Sequence, residues 1–254
     1  DNGYQIPGQQ GKESTVFDTP PPIAMRLSTG LSFYDNRKDN TLGFNLFGFD
    51  LLAAGVLHKN ISFLLIYTPR IDAPGSDYTG ANPAQAATLE SVSLLFSNVI
   101  QDVLNIRIGR FEPAYHAFSS KRMYYLFEPY EIYSLTTPSN SFVFDDNQIG
   151  IEATGHFRCG FKYGLGFVNG NGANPDNNKY KDVYANLFQT FGKGDGQSAG
   201  QRIGVFGYYG WQPAKLPGIV SAPTGETNGA ANKPFLRYGA SGSFNWKTLN
   251  LQLL

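Results

Sequence analysis

The chain has few charged residues and a single cysteine. Charged residues make up 16% of the 254 positions, well below the roughly 25% of an ordinary soluble domain. Twenty basic and 20 acidic residues give a formal net charge of +0, so the charge balance does not indicate a nucleic-acid partner. Cys159 cannot form a disulfide within the chain. Because no Cys-x-x-Cys-His motif is present, the chain cannot attach a c-type haem itself.

Long hydrophobic runs and catalytic motifs are also missing. The longest apolar candidates, 51–57 and 61–67, fall far short of the ~18 residues that suggest a membrane helix. The sequence contains no G-x-S-x-G, no paired carboxylates at an identifiable site and no phosphate-binding loop. The sequence therefore predicts neither a transmembrane helix nor an enzyme.

The chain is instead rich in glycine, with 29 residues, and in aromatic side chains, at 15%. The stretch 201–247 shows the structure that this composition favours. Two arms alternate strictly between apolar and mostly polar or small positions, with Phe206 and Tyr208 as exceptions on the polar side. Each arm has about ten residues, the length that a tilted strand needs to cross a bilayer. The pattern predicts a membrane hairpin with one face towards lipid and the other towards a lumen.

The same unit recurs along the chain, after an extended lead-in over residues 1–22. Besides the two arms, nine strands are predicted, at 23–34, 44–57, 61–68, 88–97, 103–111, 146–157, 161–168, 182–191 and 248–254. Long loops at 35–43, 69–87, 112–145, 169–181 and 212–233 alternate with turns at 58–60, 98–102, 158–160, 192–200 and 245–247. Loops sorted by length in this way are typical of outer-membrane barrels, whereas a soluble secreted or adhesin-like β protein has no reason to sort them. The predicted fold is an all-β, antiparallel transmembrane β-barrel over residues 23–254.

Three segments carry a family resemblance: IGRFEPA at Ile108–Ala114, NQIGIEATG at Asn147–Gly155 and FKYGLGFVNGNG at Phe161–Gly172. They resemble Gram-negative outer-membrane porins, particularly the phosphate-selective group. The resemblance implies a bacterial outer-membrane location and a barrel with an even strand number, of which 16 is one example. About eleven strands are visible here, so we expect the C-terminal strands to be missing. Because no signal peptide is visible at Asp1, we expect a mature or truncated form.

A second resemblance lies at Asn2–Gly8, which reads NGYQIPG. It is similar to the stretch that follows a small haem-binding segment in outer-membrane proteins that fuse a c-type cytochrome to a porin barrel. This resemblance implies an alternative role, as the insulating sheath of an electron-transfer conduit. No cofactor is expected in this chain. Haem would come only from an upstream segment or from a partner such as a multihaem cytochrome, with His116 as the first candidate ligand.

The face predicted to point inward carries more cations than acids. Its charged residues are Arg26, Asp50, Arg107, Glu152, His156, Lys162, Arg202 and Arg237. In a confined lumen, such a bias raises the local concentration of anions. The alternative is that these residues pair with each other across neighbouring strands. The predicted pore-lining set is Arg26, Arg107, Glu152, Lys162, Arg202 and Arg237.

The loop 112–145 is the longest and is rich in aromatic residues. Its length suits a loop folded into the pore, with Lys121, Arg122, Tyr124 and Tyr125 as the predicted constriction residues. The alternatives are an external loop packed on its neighbours and a contact surface for a partner.

No metal site is predicted. His58, His116 and His156 lack ligand spacing with one another, with Cys159 or with an acid. The polar runs NGNGANPDNN and DAPGSD lack the bidentate glutamate that a calcium loop needs at its end.

The function predicted from the sequence is passive diffusion of small hydrophilic solutes or ions through an outer-membrane, porin-like channel with a weak anion preference. The expected partners are outer-membrane lipid and the solutes, together with either further copies in a homotrimer or a cytochrome. The electron-transfer conduit is the alternative function.

Overall fold

The computed structural model contains eleven β-strands in one antiparallel sheet, in which each strand pairs with its neighbours in sequence. It describes residues 15–18, 23–36, 39–69, 88–114, 132, 135–137, 142–144, 146–172, 174–176, 178–192, 200–213, 232–247 and 249–254. The strands are β1 (Ile23–Asn36), β2 (Asp39–His58), β3 (Ile61–Thr68), β4 (Thr88–Asp102), β5 (Leu104–Phe111), β6 (Gln148–His156), β7 (Phe161–Val168), β8 (Asp182–Phe191), β9 (Gln201–Pro213), β10 (Asn232–Trp246) and β11 (Leu249–Leu253). The prediction of an all-β antiparallel chain is confirmed.

Three strands begin and end where the sequence predicted them. β3, β7 and β8 coincide with the predicted ranges 61–68, 161–168 and 182–191. In these segments apolar residues recur mostly at alternate positions and turn-forming residues mark the ends, so pattern and turn chemistry agree.

One predicted connection was wrong, and a second is displaced by one to two residues. The loop predicted at 35–43 is mostly strand, because β1 continues to Asn36 and β2 starts at Asp39, where the two residues pair with each other. Cross-strand backbone hydrogen bonds outweigh the polar composition there. The turn predicted at 98–102 lies slightly later: the Val103 amide donates to the Ile100 carbonyl at 2.9 Å, and β4 reaches Asp102. Asn98 and Gln101 accommodate this path with φ values of 55° and 42°.

The two sides of the sheet differ in chemistry. The side named here the apolar face exposes alternate aliphatic and aromatic residues such as Val92, Leu165, Val205 and Leu236. The opposite side, named the polar face, buries polar side chains such as Ser93, Gln148, Glu152 and Asp182. A water-soluble domain has the reverse arrangement, with apolar groups buried and polar groups exposed.

Residue contacts divide the chain into two compact units, Asp1–Leu94 and Leu95–Leu254. In the first unit, β1 pairs over its whole length with residues 39–53 of β2, with one register shift between Ser28 and Thr29. Within the lead-in, residues 15–18 form a turn, and the Val16 amide donates to the Val56 carbonyl at 2.9 Å. The rest of the predicted lead-in lies outside the described residues.

The second unit contains the main cluster of buried apolar side chains. Its members lie on the polar face of β5 and β7–β10 and in the β5–β6 connection, and they are Phe111, Phe142, Phe144, Val168, Tyr184, Phe206, Tyr208 and Phe235. The exceptions noted in the alternation of the hairpin, Phe206 and Tyr208, thus belong to a core on the polar face. No helix in the described part of the chain is long and apolar enough to span a membrane.

Candidate functional site

One row of directly paired residues crosses the polar face from β5 to β10. Each residue is the register partner of the next, in the order Arg107, Glu152, Gly166, Tyr184, Tyr208 and Arg237. The row contains an ion pair at one end, two phenols in the middle and a guanidinium at the other end. Since register alone fixes which residues meet, the row follows directly from the strand pairing.

Glu152, the second residue of this row, has several polar partners. Its side chain is 1% exposed and forms an ion pair with Arg107, whose side chain is 20% exposed. The Tyr184 hydroxyl donates to Glu152 Oε2, and the Ala114 amide donates to the same oxygen at 2.6 Å. Every one of these partners donates a hydrogen bond, so both oxygens of the buried carboxyl group act as acceptors.

Gly166 lets Tyr184 reach Glu152. A Cβ built on Gly166 would collide with the Tyr184 ring, so the phenol lies directly over the glycine between β8 and β6. The same arrangement recurs where Phe206 covers Gly239 and Phe235 covers Gly210. Aromatic side chains that cover a glycine on the neighbouring strand fill space on the polar face and fix the register between the two strands.

Replacing Gly166 with alanine is expected to destabilise the fold by about 1–3 kcal/mol, the usual cost of overpacking. The new methyl group would displace Tyr184 from Glu152 without altering any charge. Gly207→Ala is the matched control, because a Cβ there meets nothing closer than the Arg237 carbonyl oxygen at 4.0 Å. The urea midpoint of unfolding should fall for Gly166→Ala and stay unchanged for Gly207→Ala. Equal midpoints for the two variants would contradict the packing of Tyr184 over Gly166.

The β5–β6 connection is held at its start by the same network. Arg107 donates to the Glu112 carbonyl at 2.7 Å and lies over the Phe111 ring at 4.4 Å. Asn186 Nδ2 donates to the Ala114 carbonyl at 2.7 Å. The first residues after β5 therefore turn onto the polar face instead of leaving the sheet.

The end of this connection also lies on the polar face. The Phe142 ring packs against Tyr208 and Phe235 with ring centroids 4.9 and 5.1 Å away, and Phe144 lies 5.9 Å from Phe206. Thr136 and Val143 form an isolated antiparallel bridge. Both phenylalanines are 1% exposed, so the described end of the connection is buried against β9 and β10.

A second buried carboxylate, Asp182, lies one row from Glu152 on the polar face. It accepts hydrogen bonds from the Tyr208 hydroxyl at 2.6 Å and from the Trp211 amide at 2.9 Å. These partners belong to β9, so Asp182 joins neighbouring strands. Tyr208 also stacks nearly parallel with Tyr184 on one side and with Phe235 on the other.

The structure pairs two of the predicted pore-lining cations with acids. In the first unit, Arg26 Nη2 lies 2.5 Å from Asp50 Oδ2, and Thr68 donates to the other oxygen of Asp50 at 2.7 Å. In the second unit, Arg107 pairs with Glu152. These contacts match the cross-strand ladder that the sequence left open as an alternative.

The remaining predicted cations lie beside aromatic or polar groups. Lys162 is the register partner of His156 on β6 and of Phe188 on β8. The Arg202 guanidinium lies 5.1 Å from the Phe188 ring centroid. Arg237 stacks over Phe235 at 5.6 Å and donates to the Leu236 carbonyl at 3.0 Å. All three are partly buried.

The predicted constriction residues Lys121, Arg122, Tyr124 and Tyr125 lie outside the described residues, as does His116. Within the described ranges, no group of three or more His, Cys, Asp or Glu side chains could hold a metal ion.

Sequence reasoning missed Tyr184, Asn186, Ala114 and the pair Phe142 and Phe144 as parts of the site. The one available signal was aromatic residues at polar-face positions, as at Phe206 and Tyr208. The contacts of Ala114 depend on the path of the chain after β5, which strand periodicity does not encode.

No protein-family model, no curated protein and no solved structure matches this chain. The sequence segments that resemble porins therefore remain a prediction of the family, whereas the all-β antiparallel sheet rests on the strand pairing itself.

Proposed function

We propose that this chain is an outer-membrane β-barrel of the porin type that lets small hydrophilic solutes or ions diffuse across the membrane. The observation that carries the proposal is the inverted distribution of side chains in the sheet. Val205 and Leu236 are 55% and 53% exposed on the apolar face, whereas Glu152 and Gln148 are buried on the polar face. Contact with lipid tails makes an exposed apolar band favourable, and a water-filled lumen gives the polar face hydrogen-bonding partners.

In this proposal, the β5–β6 connection narrows the lumen. Its start is bound to the polar face at Ala114, and its end is packed there through Phe142 and Phe144. Residues 115–141 join these two points, and the predicted constriction cations Lys121 and Arg122 belong to this stretch. A segment anchored on the lumen face at both ends limits the size of the solutes that pass.

The proposed weak anion preference comes from Lys162, Arg202 and Arg237. Arg26 and Arg107 contribute little to it, because Asp50 and Glu152 neutralise them within hydrogen-bonding distance. A confined lumen with low-dielectric walls concentrates the counterions of its lining charges.

The proposal is tested by reconstituting the purified protein in a planar lipid bilayer and measuring conductance and reversal potential in a salt gradient. We expect stepwise ion conductance with the reversal potential displaced towards that of the anion. Combined replacement of Lys162, Arg202 and Arg237 by glutamine should reduce the displacement, whereas a control that removes a neutral ion pair as a whole, Arg26→Gln with Asp50→Asn, should leave it nearly unchanged.

Two outcomes would contradict the proposal. A bilayer that contains the inserted protein but shows no conductance would exclude a diffusion channel. A purified complex that absorbs in the Soret region and conducts no ions would favour the electron-transfer sheath instead.

A further inference from the structure

We propose that Tyr180 and Trp211 form an aromatic anchor at the boundary between lipid and water, and that the buried carboxylate of Asp182 positions this anchor from the polar face of the sheet. The partner is the headgroup and glycerol region of a phospholipid bilayer. This role rests on the contact of the apolar face with lipid proposed above and is independent of ion conduction. Asp182 acts on the anchor through the backbone, so it is a positioning residue.

Three aromatic side chains meet where β8 begins and β9 ends. Tyr180 and Trp211 stack with their ring centroids 4.5 Å apart, and Tyr209 meets Trp211 edge-on at 5.7 Å. Tyr209 and Trp211 occupy alternate positions of β9 in line with the exposed Val205, so these two rings lie on the apolar face. Tyrosine and tryptophan combine an apolar ring with a polar O–H or N–H group, which favours the boundary between hydrocarbon and water. Lys179 Nζ lies 5.4 Å from the Tyr180 ring centroid, which adds a cation that lipid phosphate groups attract.

The opposite end of the apolar face carries the second tryptophan of the chain. Trp246 is 65% exposed, and Lys247 Nζ lies 5.2 Å from its ring centroid. Arg202 of β9 pairs with Ser243 of β10, so Trp211 lies nine positions to one side of this pair and Trp246 lies three positions to the other. Twelve positions at about 3.3 Å each, in a strand tilted by about 40°, rise about 30 Å across the membrane. This height matches a hydrocarbon core of about 30 Å and places the two tryptophans at opposite boundaries.

Asp182 binds the backbone that carries Trp211. Its Oδ1 atom accepts a hydrogen bond from the Trp211 amide at 2.9 Å, and its Oδ2 atom accepts one from the Tyr208 hydroxyl at 2.6 Å. A Cβ built on Gly170 or on Gly210 would overlap this carboxylate, so the two glycines enclose it. Because the Trp211 amide is held from the polar face while its ring lies on the apolar face, the carboxylate fixes the direction in which the ring leaves the sheet.

Asp182 also fixes the second ring of the anchor. Tyr180 lies two residues before Asp182 in the chain, and its amide donates to Asn178 Oδ1 at 2.8 Å. One ring is therefore carried by the segment that leads into Asp182, and the other is carried by the residue that the Asp182 side chain binds. Loss of the hydrogen bond between Asp182 and Trp211 should separate the two rings without affecting Trp246.

Depth-dependent quenching of tryptophan fluorescence tests the anchor. Trp246→Phe leaves Trp211 as the only tryptophan of the chain, and Trp211→Phe leaves Trp246. Each protein is inserted into phosphatidylcholine vesicles whose acyl chains carry bromine either close to the glycerol or close to the bilayer centre. We expect the shallow bromine to quench both tryptophans more strongly than the deep bromine does. Stronger quenching of Trp211 by the deep bromine, or quenching of Trp246 alone, would overturn the proposal.

The quenching result is distinguishable from a failure of the channel. Quenching of neither tryptophan by either lipid would reject the contact of the apolar face with lipid, and with it the anchor. A protein that shows the expected depths but no conductance would reject the channel and leave the anchor supported.

Substitutions at Asp182 test the positioning role in the Trp246→Phe background. Asp182→Ala removes the acceptor of the Trp211 amide, so Trp211 should lose fluorescence anisotropy and be quenched more by aqueous acrylamide. Asp182→Asn keeps an oxygen for the Trp211 amide and offers an NH₂ group to the Tyr208 hydroxyl oxygen. With asparagine, both quantities should therefore stay at the values of the background protein.

The same Asp182→Ala change in the Trp211→Phe background is the matched control, because Trp246 lies at the opposite boundary. The anisotropy and quenching of Trp246 should not change. An equal response of both tryptophans to Asp182→Ala would contradict the positioning role, since a carboxylate acting only through overall stability would give this result. Equal responses of Trp211 to alanine and to asparagine at position 182 would also contradict it, since they would mean that only the charge matters.

Discussion

Glu152→Ala is expected to lower the free energy of unfolding by about 3 kcal/mol, the lower end of the usual cost of removing one partner from a buried ion pair. The lower end applies because Arg107 keeps 20% of its side chain exposed and can recover some hydration. The substitution also leaves the Tyr184 hydroxyl and the Ala114 amide without their acceptor. Reversible urea unfolding in lipid vesicles measures this loss as a lower midpoint.

The matched control is Asp176→Asn, which breaks an ion pair with Lys181 outside the strands. Both side chains of that pair are partly exposed, at 27% and 31%, so its loss should cost less than about 1 kcal/mol. Similar midpoints for the two variants would show that Glu152 does not hold the row of paired residues together.

Phe142→Ala should also destabilise the protein, by about 3–5 kcal/mol, which is typical of removing a buried phenylalanine side chain. Phe142 is 1% exposed and contacts the rings of Tyr208 and Phe235. Loss of the ring leaves a cavity between the β5–β6 connection and β9–β10. The expected consequence is release of the connection at its second end, seen as a lower unfolding midpoint and faster proteolysis between residues 112 and 146.

Phe167→Ala is the control for this substitution, because Phe167 is 52% exposed on the apolar face. It removes the same number of atoms without opening a cavity in the protein, so its cost should be clearly smaller and proteolysis of the connection should not change. A larger loss of stability for Phe167→Ala than for Phe142→Ala would mean that the polar-face cluster contributes little to the free energy of unfolding.

Strand positions were predictable where one local signal decided them. In β7 and β8 the alternation of Leu165 and Phe167, or of Val183 and Leu187, with small or polar residues determines both strand and face. The burial pattern follows that alternation along β8. Period and turn chemistry suffice here because no distant contact competes with them.

The errors occurred where pairing overrides composition. The composition of residues 35–40 is typical of a loop, yet the β1–β2 ladder continues there, with Asp35 paired with Asn40 and Asn36 with Asp39. The candidate site shows the same limit. The two-residue period of the strands placed Arg107 and Glu152 on one face. Only the strand register makes them direct partners, and only the path of the chain after β5 brings Ala114 to Glu152.

The exceptions in a pattern proved to be its most informative residues. Phe206 and Tyr208 break the polar alternation of β9. Both contact the end of the β5–β6 connection, which lies more than 60 residues earlier in the chain. Large aromatic residues on an otherwise polar strand face thus mark the place where another segment packs. Which segment packs there could not be predicted, since the contact is long-range and Phe142 and Phe144 belong to no predicted strand.

The most direct test of the central claim, that the apolar face contacts lipid and the polar face contacts a lumen, is the environment of single nitroxide labels in the vesicle-inserted protein. Labels replace Val205 and Leu236 on the apolar face and Ser241 and Ser243 on the polar face, in a Cys159→Ser background. We predict that membrane-dissolved oxygen relaxes the labels at 205 and 236 more strongly than a water-soluble nickel chelate does, and that this preference is absent at 241 and 243. Labels at 205 and 236 that are relaxed mainly by the nickel chelate would contradict the account.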